Sequence, residues 1–114
     1  MRRLKSFKYA INGIRNLLIS EHNARIHLAA TAAVIVLSVA LKISSTEWIA
    51  IIIVTGFVWA AEMFNTCIEK TLDFISAEKS DDIKFIKDIA AGAVLVASFT
   101  ALITGLFIFI PKIV

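Results

Sequence analysis

The run WIAIIIVTGFVWAAEMFNTCIEKTLD, residues 48–73, decides the fold: it enters as uninterrupted apolar sequence and leaves carrying repeated acids. Residues 48–64 are apolar enough to cross a bilayer core of roughly 30 Å, which calls for about 20 such residues in a helix. Two further runs of the same kind flank it, residues 26–41 and 89–110. The expected chain therefore crosses a membrane three times. Residues 43–47, with Ser44, Ser45 and Thr46, read as a tight polar turn between the first two spans, and Pro111 as the end of the third.

Composition agrees. Of 114 residues, 59% are hydrophobic and 18% charged, against an apolar share of about 45–50% in ordinary soluble domains. The length supports one domain, residues 1–114. Twelve Lys and Arg against nine Asp and Glu leave a net charge of +3, which in an apolar chain points to membrane topology rather than to nucleic acid. A single cysteine, Cys67, excludes an internal disulfide and supplies no zinc spacing. The basic N-terminus leads into amphipathic sequence and lacks an apolar core with a small-residue cleavage site, so no removable signal peptide is expected and the mature chain is expected to start near Met1.

The basic residues fix an orientation. Residues 1–25 carry six of them, Arg2, Arg3, Lys5, Lys8, Arg15 and Arg25, and the second loop four, Lys70, Lys79, Lys84 and Lys87. The opposite ends carry only Lys42 and Lys112. The positive-inside rule then puts the N-terminus and the second loop in the cytoplasm. Within residues 1–25, Leu4, Phe7, Ile11, Ile14 and Leu18 recur at intervals of three and four, opposite Arg2, Lys5, Lys8 and Arg15. This pattern predicts an amphipathic helix lying on the membrane surface, followed by a hinge.

The acids of the middle span share one face. At about 100° per residue, Asn65, Glu69 and Asp73 fall at roughly 300°, 340° and 20° relative to Glu62, within an arc of about 80°. A carboxylate at the depth of Glu62 costs on the order of 2.5–3.5 kcal/mol on insertion scales, which makes it a functional-site candidate by default. Glu69 and Asp73 alone would pass as interfacial acids. Their alignment with Glu62 and Asn65 favours a site. Glu21, in the hinge, and Lys87 and Asp88, before the third span, converge on the same level; taken singly, Glu21 reads as a helix cap and Lys87 as a snorkelling side chain. Together these groups suit Mg²⁺ and a phosphate donor meeting a lipid alcohol, the chemistry of phosphoryl transfer. The four glycines are scattered, so there is no P-loop or kinase glycine loop.

The chain resembles the small integral-membrane lipid kinases of the prokaryotic diacylglycerol kinase and undecaprenol kinase family. The marks are Phe7-Lys8-Tyr9-Ala10 with Gly13-Ile14, then Glu21-His22-Asn23-Ala24-Arg25-Ile26-His27, then Glu62 through Glu69 and on to Asp73, and Lys87-Asp88-Ile89-Ala90-Ala91-Gly92. The resemblance implies an all-α membrane protein, a surface helix plus three transmembrane helices in a homotrimeric bundle with sites shared between subunits. It implies Glu62 as the catalytic base on the lipid hydroxyl, Asn65 as organiser of the cluster, and Glu21 and Glu69 as ligands joining Mg²⁺ to ATP. It further implies nucleotide contacts from Tyr9, Lys87 and Asp88, a supporting role for Asp73, and lipid contact by Arg2. A prokaryotic cytoplasmic membrane follows from the same likeness. Ala91 stands where the diacylglycerol-specific branch has serine, which leans the reading toward undecaprenol, with diacylglycerol as the alternative.

Several residues have plainer readings. His22 and His27 read as interfacial side chains, Cys67 as a small packed residue, Trp48 as an interface anchor and Trp59 as helix packing. A lone intramembrane glutamate in an oligomeric bundle also suits an ion-coupled transporter, but that leaves Glu69, Asp73 and Lys87 without work. A non-catalytic membrane subunit ranks last.

Overall fold

The computed structural model describes residues 2–75 and 80–114, which form four helices: α1 (Arg2–Ser20), α2 (His22–Ala40), α3 (Ser45–Ile75) and α4 (Asp81–Ile113). The last three are each long and apolar enough to cross a membrane. Lys79, counted above among the basic residues of the second loop, lies outside the described residues, as does Met1. The other three basic residues of that loop are helical: Lys70 belongs to α3, and Lys84 and Lys87 to α4.

The helices extend past the apolar windows that announce them. At 1.5 Å per residue the 31 residues of α3 reach roughly 45 Å, so an unbroken rod carries the apolar span and its acidic end. The expected turn is also shorter than read. Ser45, Thr46 and Glu47 form the first turn of α3, introduced by a reciprocal cap in which Glu47 N–H donates to Ser44 Oγ at 3.2 Å and Ser44 N–H to Glu47 Oε1 at 2.9 Å. Lys42 absorbs the reversal with a φ of 50°, the left-handed conformation. Pro111 lies inside α4, which runs on to Ile113.

α3 and α4 form the main packed pair, running antiparallel. Lys112 Nζ meets a Glu47 carboxylate oxygen at 3.0 Å at one end, and Lys87 Nζ meets Asp73 Oδ1 at 2.7 Å at the other. Between them Ile43, Ile51, Ile108 and Phe109 form a buried cluster with Trp48 packed against it, so Trp48 is a packing residue as well as an aromatic near a span end. The covered positions step by three and four: Ile51, Thr55, Val58, Glu62, Asn65, Glu69 and Leu72 on α3, and Ile83, Lys87, Ala90, Val94, Ala97, Ala101, Thr104 and Ile108 on α4. That spacing is the seam of a left-handed coiled-coil pair. Fully buried Ala97 supplies the small side chain that lets such helices close up within a bilayer.

α1 meets α2 at an angle set by Glu21, whose backbone is extended at φ −110° and ψ 118°. Leu17 and Ala24 are the buried residues on either side of that break. Leu4, Phe7, Ile11 and Ile14 on α1 remain exposed among the described residues.

Candidate active site

The seam of α3 places Glu62, Asn65 and Glu69 in successive turns of one covered face, as the spacing predicts, whereas Asp73, expected on the same stripe, is exposed and Leu72 takes the covered position. Glu62 is the one buried carboxylate among the described residues, 3% exposed. Its Oε2 lies 3.5 Å from His27 Nε2 on α2. The histidine, read from sequence as interfacial, is instead half-buried and turned onto the acid. One turn further along α3, Asn65 Nδ2 reaches Glu69 Oε1 at 3.5 Å, while Asn65 Oδ1 is buried without a hydrogen-bond partner. A buried acceptor left free beside a carboxylate is costly unless something binds there.

Glu21 comes to the same region from the α1–α2 break. It occupies the N-cap position of α2, yet its side chain makes no capping hydrogen bond. Its Oε1 faces Lys70 Nζ at 3.5 Å instead. The neighbour of Glu69 in sequence is thus within ion-pair reach of Glu21, and the plain cap reading gives way to a carboxylate turned toward α3. Arg25 stabilises the break through Nη1 on Ile19 O at 3.4 Å.

Lys87 turns from α4 onto α3, where it holds Asp73, while Asp88 points along α4 to Lys84 Nζ at 2.6 Å. Adjacent in sequence, Lys87 and Asp88 thus have different partners, and both carry exposed polar ends at the mouth of the stripe. Tyr9 and Arg2 lie on exposed positions of α1, and the structure joins neither to the Glu62 cluster. Cys67 is exposed, on the face of α3 away from the seam, so it is not a packed residue of this chain.

Trp59, one turn before Glu62, explains how α2 is held. Its Nε1 donates to Thr31 Oγ1 at 2.9 Å, that hydroxyl donates to His27 O at 2.7 Å, and the His27 and Trp59 rings meet edge to face with centroids 6.3 Å apart. From His27 an apolar groove of about 550 Å³ runs between the spans past Val34, Val58, Ala101, Gly105 and Phe109. His27, which lines it, is the residue that faces the buried acid.

Among the described residues, no group of three or more His, Cys, Asp or Glu side chains could hold a metal ion alone. Mg²⁺ does not need one, because it binds one or two carboxylates and completes its octahedron with water and substrate phosphates. Glu21, free of capping duty, and Glu69, flanked by the unpartnered Asn65 Oδ1, fit that donor chemistry.

The pattern of the family described as prokaryotic diacylglycerol kinase matches residues 8–109. The chain is 38% identical over 109 residues to the undecaprenol kinase of Bacillus subtilis, a match covering 96% of this chain and 89% of that one. It is 31% identical over 111 residues to the diacylglycerol kinase of Synechocystis, covering 96% of this chain and 63% of that longer one. With its acids on one face of a membrane-length helix and a match to the family along nearly its whole length, the chain belongs to the prokaryotic diacylglycerol kinase family and is an integral-membrane lipid kinase.

Proposed function

We propose that this protein transfers the γ-phosphoryl group of ATP to a membrane lipid alcohol, with undecaprenol as acceptor and diacylglycerol as the alternative. The observation that carries this reading is Glu62: a buried carboxylate on the α3–α4 seam, beside an apolar groove and in line with Glu69 and the Lys87 level. The lipid hydroxyl sits at the mouth of the groove with its hydrocarbon tail inside. Glu62 accepts the hydroxyl proton as the oxygen attacks the γ-phosphorus, the bond to the bridging oxygen breaks, and ADP leaves. Glu21 and Glu69 would hold Mg²⁺, which would supply neutralisation of the phosphate charge. Asn65 keeps Glu69 oriented, and Lys87 exchanges Asp73 for a phosphate oxygen, with Asp88 and Tyr9 toward the nucleotide. Asp73 supports the site as the resting partner of Lys87, and Arg2 reaches the lipid surface from α1.

The basic residues orient this end of the bundle to the cytoplasm, where ATP is found, with α1 laid on the bilayer surface through Leu4, Phe7, Ile11 and Ile14. Three spans enclose too little volume for nucleotide and lipid together, which supports a homotrimer with shared sites. Undecaprenol is favoured over diacylglycerol by the higher identity to the Bacillus subtilis protein and by Ala91, which offers no hydroxyl to a polar glycerol ester. The test is phosphate transfer from labelled ATP to each lipid in mixed micelles, compared as kcat/KM. A higher value for undecaprenol is expected. A higher value for diacylglycerol reverses the assignment, and transfer to neither removes it.

A further inference from the structure

Glu62 sits too deep for water to hold its carboxylate in one orientation, and general-base catalysis depends on that orientation. The groups around it are therefore informative. His27 Nε2 stands 3.5 Å from Glu62 Oε2, and the imidazole ring also meets Trp59, which is itself held by Thr31. Trp59 packs its edge against the imidazole, and Thr31, one turn along α2, binds both Trp59 Nε1 and the His27 carbonyl. Trp59 and Glu62 lie three residues apart on α3, and His27 and Thr31 four apart on α2, so two successive turns of each helix lock together around one imidazole. A histidine serving only as an interfacial side chain has no use for such a mounting.

We propose that His27 is a positioning residue for Glu62: it engages Oε2 and leaves Oε1 aimed at the acceptor hydroxyl entering from the groove that His27 itself lines. The inference rests on Glu62 acting as the base. The separation of 3.5 Å is that of a site without substrate, where catalytic contacts are commonly long and shorten in the reacting complex. Trp59 acts one step further out, against the ring, and Thr31 holds Trp59 in turn.

The experiment compares His27→Gln, which keeps a nitrogen donor, with His27→Phe, which keeps the ring against Trp59 and loses the nitrogens, each in the parent and in a Glu62→Gln background. His27→Phe is expected to lower kcat about 100-fold with KM for ATP unchanged, the signature of a misplaced catalytic group. His27→Gln should recover most of that loss. In the Glu62→Gln background, where the base is gone, the two His27 variants should share the same residual rate. Equal kcat for Gln and Phe in the parent overturns the proposal, as does a Phe penalty of the same size in the Glu62→Gln background. A rise in KM for ATP without a fall in kcat overturns it too. Full activity of Glu62→Gln alone removes the base on which the inference rests, whereas an inactive Glu62→Gln beside an active His27→Phe removes only the inference.

Discussion

Lys87 Nζ rests 2.7 Å from Asp73 Oδ1, joining the polar ends of α3 and α4. The two side chains are 36% and 62% exposed, so the pair is screened by water and is a weak clasp, worth at most about 1 kcal/mol. A cation held loosely near a row of carboxylates is poised to exchange one anion for another. Under the proposed function, a nucleotide phosphate would displace Asp73 from this pair.

The consequence separates the two partners. Lys87→Met should raise KM for ATP strongly and lower kcat/KM by about 10-fold to 100-fold, since it removes a charge-assisted contact to phosphate. Asp73→Asn should leave the protein folded and change KM for ATP by only a few-fold, as it frees the lysine. Initial-rate kinetics across ATP concentrations distinguish the two, and equal defects would place Lys87 in a structural role only.

Glu62→Gln keeps shape and hydrogen-bonding capacity while removing the base. Turnover should fall by about 100-fold to 10,000-fold, the range for loss of general-base catalysis, with KM for ATP nearly unchanged. A KM effect without a kcat effect would place Glu62 in substrate binding instead.

The α3 stripe was readable because a single uninterrupted helix preserves angle from residue to residue, so spacing alone places Glu62, Asn65 and Glu69 on one face. The ends of the helices were not, since apolar windows report the bilayer and α3 and α4 continue beyond it. Nor was the His27 contact, which joins residues 35 positions apart through the packing of α2 on α3. No local pattern marks such a pair; the nearest signal was a histidine within one turn of the start of an apolar run. Glu21 has a plainer reading that only the structure removes. Its place before α2 is that of a cap, and only the direction of its side chain, toward Lys70, reveals otherwise.

Glu21→Gln and Glu69→Gln should each shift the Mg²⁺ dependence of the reaction, because each removes one of the two hard oxygen donors assigned to the ion. Activity titrated against free Mg²⁺ at saturating lipid should show a midpoint displaced upward by about 10-fold or more in either variant. Unchanged midpoints in both would move the ion elsewhere along the stripe.

The groove gives a prediction about the acceptor alone. Ala101 lines it from α4, well away from Glu69 and Lys87 in sequence, and Ala101→Phe would fill part of its 550 Å³. The expected result is a rise in KM for a long-chain prenol, with KM for ATP unchanged and with a short-chain prenol much less affected. The contrast between chain lengths removes the effect of any general destabilisation, which would depress both substrates alike.

The far end of the α3–α4 pair should behave as scaffold. Ile51, which does not line the groove, is buried with Ile43, Ile108 and Phe109, at the opposite end from Asp73 and Lys87. Within a bilayer, lipid tails are as apolar as the core, so burial there stabilises through close packing more than through release of water. Ile51→Ala opens a cavity in that cluster and should cost on the order of 3 kcal/mol, toward the low end of the range for a buried isoleucine because no water-transfer gain is lost. Thermal unfolding in detergent should show a lowered Tm, while kcat measured well below that temperature stays close to the parent value. A collapse of kcat without loss of Tm would mean that the cluster reaches the chemistry, and the division of the helix pair into a packed end and a reacting end would fail.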